Sequence, residues 1–253
     1  MYGATIKTQQ YTIRRKKGFI MNHDITNEVL TEFSTAFSSN PVNHIAMNAV
    51  TSAGLLAASK NPMAQRESRH SYSISLEQGE ITNQKQSGRC WMFAALNTFR
   101  FEVMKNLNLK TFELSQNYTL FYDKLEKSNY FLESILETLD EPTQGRLISF
   151  LLSAPLGDGG QWDMLCNLVR KYGVVPKEAM PETVASSATR EMTAALTRKL
   201  REDACRLRKA YADGSTLDEL RKKKEAMMEE IYRILCICLG EPPKTFDLEV
   251  TDK

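Results

Sequence analysis

Residues 83–100 read NQKQSGRCWMFAALNTFR. A polar turn closing on Ser87-Gly88 runs straight into Cys90, and from there the sequence turns helical, with Trp91, Ala94, Ala95, Thr98 and Phe99 expected along one stripe. This spacing puts Cys90 at a helix N-terminus, where unpaired backbone N–H groups and the positive end of the helix dipole favour a thiolate over a thiol. Gln84, six positions upstream, can fold its side-chain amide back over the turn toward the same sulfur, and such an amide is the donor a developing oxyanion needs. The competing reading makes Cys90 a small buried hydrophobe at the start of an apolar helix, as most free cysteines are.

The combination says more than the cysteine alone. Gln84, the Ser-Gly turn and Cys-Trp-x-Phe at 90–93 resemble the start of the papain-like cysteine peptidases, and SGRCWMF from Ser87 to Phe93 is similar more specifically to the branch containing bleomycin hydrolase and aminopeptidase C. The stretch LSQNYTLFYDKLEKSNYFLE from Leu114 resembles a long helix of that branch. Its own pattern predicts a helix capped by Ser115, with Tyr118, Phe121, Tyr122, Leu125, Phe131, Leu132, Ile135 and Leu139 inward.

After a helix expected over Gln144–Leu152, residues 154–165 read APLGDGGQWDML. Adjacent glycines let a strand of backbone approach an extended peptide and expose its C=O and N–H groups. A tight turn capping the helix from Gln161 explains the same residues. In the papain-like enzymes an Asn-Gly-Gly segment at this position lines the substrate cleft, so the resemblance makes Gly159 and Gly160 the substrate-binding candidates; Asp158 departs from papain's Asn but suits the narrower branch.

The resemblance implies an α+β fold of papain-like type, mainly its helical half. Residues 1–20 read as a disordered extension, 21–65 as an N-terminal helical hook, 66–185 as the nucleophile half, 186–240 as a helical insertion and 241–253 as the start of a β-rich half. Within the hook, Asp24 or Thr26 caps a helix with Ile25, Val29, Phe33 and Phe37 on one face, stopped at Asn40-Pro41, and a second helix runs over Ile45–Ala58 to Asn61-Pro62. Tyr72, Ile74 and Leu76 alternate as a short strand, and Phe246, Leu248 and Val250 open another. Residues 188–239 form two helical stripes joined by Asp213-Gly214.

The activity implied is that of a cysteine aminopeptidase. Cys90 attacks the scissile carbonyl, Gln84 and a backbone N–H hold the oxyanion, and water clears the acyl-enzyme. The branch takes its catalytic His and Asn from further along the chain. His23, His44 and His70 all precede Cys90, so these residues are expected to be a fragment inactive alone, and His70 is a turn or surface residue. The branch also implies a peptide substrate, a homohexamer and a cytoplasmic home. A non-catalytic module that self-associates or binds nucleic acid is the alternative, using the basic runs at 198–208 and 221–225; the Glu and Asp mixed into them favour a solvated face or subunit contact.

Composition agrees with this range. A net charge of +2 implies no nucleic-acid coat, and 42% hydrophobic content suffices for a real core. The longest apolar run falls far short of the roughly twenty residues of a membrane span. Five cysteines in an odd set without CxxC spacing indicate a reducing compartment, and the histidines assemble no zinc pattern, so neither metal nor cofactor is expected.

Overall fold

The computed structural model describes residues 25–67, 71–76 and 79–252. The readings made of residues 1–20, His23, Asp24 and His70 lie outside them. Two units divide the chain between Ile74 and Ser75, and each is described by itself.

In the first unit, α1 (Asn27–Ser39) is capped by Thr26, whose hydroxyl accepts the Val29 N–H at 3.4 Å. Asn40 ends it and caps α2 (Pro41–Ala53), with Pro41 at the first helical position, where its missing N–H costs nothing. The single helix expected over Ile45–Ala58 is broken at Gly54, whose φ of 81° a residue with a Cβ avoids; the chain resumes as α3 (Leu55–Ala58). Pro62 then opens α4 (Pro62–Glu67). The apolar face expected on α1 exists, but Ile25, Phe33 and Phe37 are exposed and α1 to α3 bury no residue. His44 packs edge-on against Phe37, with ring centroids 5.5 Å apart.

The second unit is helical: α5 (Cys90–Asn106), α6 (Gln116–Glu137), α7 (Arg146–Ser153), α8 (Trp162–Tyr172), α9 (Val184–Ser187), α10 (Arg190–Ala212) and α11 (Leu217–Leu239). α6 lies at its centre, with α5, α7, α8, α10 and α11 packed around it. Ser115 caps α6 as its sequence predicts, accepting the Tyr118 N–H at 3.0 Å. Tyr118, Phe121, Phe131, Leu132 and Ile135 are buried, while Tyr122, Leu125 and Leu139 are half-buried against the core. The stripes of the 188–239 hairpin, Met192, Leu196, Leu200 and Leu207 with Leu220, Met227, Ile231, Leu235 and Leu239, close on the same core. Thr216 and Glu219 cap α11 reciprocally, the Thr216 N–H donating to the Glu219 carboxylate at 2.8 Å.

Three expectations need correction. Among the described residues there are isolated bridges and no strands. Tyr72, Ile74 and Leu76, and likewise Phe246, Leu248 and Val250, are exposed coil, because alternation makes a strand only where a neighbouring strand accepts its backbone bonds. The buried face of α5 is Met92, Phe93, Ala95, Leu96, Arg100 and Met104, and Ala94 and Thr98 face outward. Trp91 and Phe99 are half-buried against the core, and the Trp91 indole N–H reaches the segment at 157–160.

Candidate active site

The turn that delivers Cys90 is locked by its own side chains. Asn83 Oδ1 accepts the Lys85 N–H at 2.7 Å, which holds Lys85 at a positive φ of 54°. Gln84 Nε2 donates to the Ser87 carbonyl at 2.6 Å, and Ser87 Oγ donates back to the Gln84 carbonyl at 2.6 Å. Arg89, the N-cap of α5, makes no capping bond, so the first N–H groups of the helix have no side-chain acceptor from that position. Cys90 stands there exposed.

Asp158 joins this turn to the glycine segment. Its Oδ2 accepts the Gly88 N–H at 3.0 Å and the Thr189 hydroxyl at 2.5 Å, and its Oδ1 accepts the fully buried Lys124 ammonium at 2.5 Å. Its carbonyl accepts the Trp91 indole N–H at 2.8 Å. Lys124 and Lys127 donate to the Gly157 carbonyl at 2.8 and 3.1 Å, and Lys127 donates to the Gly159 carbonyl at 2.7 Å. Two glycines make the approach feasible: a Cβ at Gly88 would fall 2.7 Å from Asp158 Cβ, and one at Gly160 would fall 2.5 Å from the Trp91 ring. At Gly159 a Cβ would meet nothing within 4 Å.

Behind the turn, Arg89 is fully buried and forms a two-pronged pair with Glu182, at 2.8 and 2.7 Å. Its Nε donates to Ser87 Oγ at 2.8 Å, and its guanidinium lies 5.0 Å from the Phe93 ring centre. The two residues before Cys90, Gly88 and Arg89, are therefore each held through a buried cation, Lys124 behind Asp158 and the Arg89 guanidinium itself.

The charges give the site a pH signature. Burial pushes the Asp158 carboxyl up, but the Lys124 charge and the bonds from Lys124, Thr189 and the Gly88 N–H outweigh it and hold its pKa at about 2. Burial drives buried Asp123 up to about 6, and Lys127 offsets only part of that. Asp158, depressed on folding, contributes stability that is present above about pH 4 and lost as pH falls from there toward 2. Asp123 has the opposite sign: its contribution is full below about pH 4 and lost as pH rises through about 6. Thermal melts between pH 2 and 7 are expected to show Asp158→Asn flattening the acid limb and Asp123→Asn flattening the limb between about pH 4 and 6. Parallel curves for either variant and the parent would contradict the assigned sign.

Of the residues expected in the site, Cys90 and Gly160 are linked through Trp91, and Gly159 joins them through Lys127. Gln84 lies in the turn with its amide directed to Ser87, not bonded to Cys90. An amide nitrogen carries two hydrogens, so one donor is left beyond the Ser87 bond. The network of Asp158, Lys124, Lys127, Arg89 and Glu182 was not legible in the sequence; the one available signal was Lys124 itself, a charge that follows Leu120 and Phe121 by four and three positions on the inward face of α6. The basic runs of the hairpin carry internal partners: Lys199 with Asp203 and Glu230, Arg206 with Glu202, and Lys224 with Glu133 on α6. Among the described residues no helix is long and apolar enough to cross a membrane.

A family model described as the peptidase C1-like family matches residues 24–253. Aminopeptidase C of Listeria monocytogenes is 48% identical over 233 residues, covering 92% of this chain and 52% of that protein. Bleomycin hydrolase of Homo sapiens is 42% identical over 233 residues, covering 90% of this chain and 51% of that protein. The crystal structure of PepW from Lactobacillus rhamnosis is similar at a TM-score of 0.88 and 46% identity, covering 92% of this chain and 52% of that one. The chain spans about half the length of the curated relatives it matches.

Proposed function

Because the chain belongs to the peptidase C1-like family, we propose that it forms the nucleophile-bearing part of a papain-like cysteine aminopeptidase acting on peptide N-termini. The observation that carries this reading is an exposed Cys90 opening α5, its preceding turn and following Trp91 both tied to the Gly157–Gly160 segment. Cys90 Sγ attacks the scissile carbonyl to form a C–S bond; the C–N bond then breaks and the amine leaves with a proton from a general acid. The N–H groups at the start of α5, with the second amide hydrogen of Gln84, receive the oxyanion, and water releases the acyl group. The Gly159 carbonyl is occupied by Lys127, so the backbone of Gly160 carries most of the pairing with an extended peptide and Gly159 supplies room.

A general base is required besides these groups. None of the three histidines follows Cys90, and the 253 residues alone are proposed to be inactive as a peptidase. Assembly as a homohexamer and a cytoplasmic location belong to the same reading. In the second unit, residues 186–240 serve as an insertion specific to the branch, whose helices α10 and α11 complete the core around α6.

Competitive alkylation tests the nucleophile. Burial pushes the Cys236 and Cys238 thiols up, while Cys205 is as exposed as Cys90 and serves as the control. Iodoacetamide at neutral pH is expected to modify Cys90 at least about tenfold faster than Cys205, read by peptide mass mapping. Equal rates at the two exposed thiols would remove the proposal.

A further inference from the structure

We infer that Asp158 is a positioning residue that sets the spacing between the Cys90 turn and the peptide-pairing glycines, an inference that rests on the cleft reading above. Its carboxylate grips the Gly88 N–H two residues before Cys90, and its backbone carbonyl grips the indole of Trp91, one residue after. One residue thus spans the nucleophile from both sides in sequence while its own chain continues directly into Gly159 and Gly160. The bare Cα of Gly88 lets the carboxylate close in, and the bare Cα of Gly160 lets the segment lie against Trp91.

The grip is stiff. Lys124 from α6 and Thr189 at the start of α10 hold the two carboxylate oxygens, and Lys124 and Lys127 hold the flanking carbonyls of Gly157 and Gly159. The carbonyls of 157, 158 and 159 are all bound inward, so the segment cannot slide along the turn without breaking bonds to three side chains. A peptide laid along Gly160 therefore meets the sulfur in one register. Asp158 touches neither substrate nor the reacting atoms; it acts through Gly88, Trp91 and Gly160.

The test separates peptide register from intrinsic thiol reactivity. Alkylation of Cys90 in the full chain is timed with iodoacetamide, which needs no cleft, and with a dipeptidyl chloromethyl ketone bearing a free N-terminus, which does. Lys124→Met is the parent, because it removes the ammonium that loss of Asp158 would strand in the interior. Added to it, Asp158→Ala is expected to lower the ratio of the two rates by about tenfold or more, the scale of a sub-ångström to ångström misplacement. Asp158→Asn keeps an oxygen for the Gly88 N–H and is expected to hold the ratio within about threefold of the parent. An unchanged ratio in the alanine variant, or an equal fall in both rates, overturns the positioning role. A parent that reacts no faster with the peptidyl reagent, relative to Cys205, overturns the cleft reading itself and the inference with it.

Discussion

Assayed as these 253 residues, the protein is expected to hydrolyse aminoacyl anilides about a million-fold more slowly than an enzyme whose nucleophile is paired with an imidazole, the loss that follows removal of the base from a serine protease. The reason lies in the distribution of histidines. His23, His44 and His70 all precede Cys90 in sequence, and residues 75–253, the unit that holds Cys90, include no histidine. The Cys90 sulfur, the donors at the start of α5 and the Gly160 backbone can still receive a peptidyl reagent, and Cys90 can still be alkylated by it. No imidazole in that unit protonates the leaving amine or deprotonates the water that clears the acyl group. Turnover of an aminoacyl nitroanilide, measured beside Listeria monocytogenes aminopeptidase C, is therefore expected to sit near the uncatalysed background while Cys90 alkylation stays rapid. Turnover within about a hundredfold of that relative would show that another group supplies the base, and would overturn the proposal that these residues are inactive alone.

The second large effect is on stability. Glu182→Ala is expected to cost about 3–5 kcal/mol, because it leaves the fully buried guanidinium of Arg89 without its two-pronged partner. The Ser186 hydroxyl, which donates to Glu182 at 2.7 Å, is left with only the Thr183 carbonyl, at 3.1 Å. Arg89 immediately precedes Cys90, so the same substitution is expected to slow alkylation by the peptidyl reagent. The paired change Arg89→Met with Glu182→Leu removes both charges and is expected to recover most of the loss, since apolar replacements of a buried pair are often neutral. Denaturant midpoints of the single and double variants make the comparison. A single variant within about 1 kcal/mol of the parent would mean that water reaches Arg89 and that the pair does not hold the turn.

The helices that surround α6 were readable because apolar residues at every third or fourth position have only one way to be buried. Met192, Leu196 and Leu200 could be placed inward from spacing alone, and so could Ile231 and Leu235. Strands were not readable from alternation at 72–76 and 246–250, because the partner that makes a strand is not written in the strand. Cys90 at a helix start followed from Ser-Gly and the apolar run. The network around it did not: Arg89 finds Glu182 93 positions later, and Lys124 finds Asp158 34 positions later. A local pattern places charges at the surface, so a buried Lys124 or Arg89 emerges only when the distant carboxylate is in view. The stripe on α5 was misread in part: Trp91 and Phe99 do pack against the core, while Ala94 and Thr98 face outward.

The ammonium of Lys124 has one further consequence. Sealed from solvent in the middle of α6, it has its counter-charge on a loop that looks, from outside, free to breathe. If that loop lifted away alone it would strand a cation in oil, so the excursion carries the cost of an unpaired buried charge. The stretch at 157–160 should accordingly resist local opening, read as slow native-state proteolysis, although two of its glycines face water.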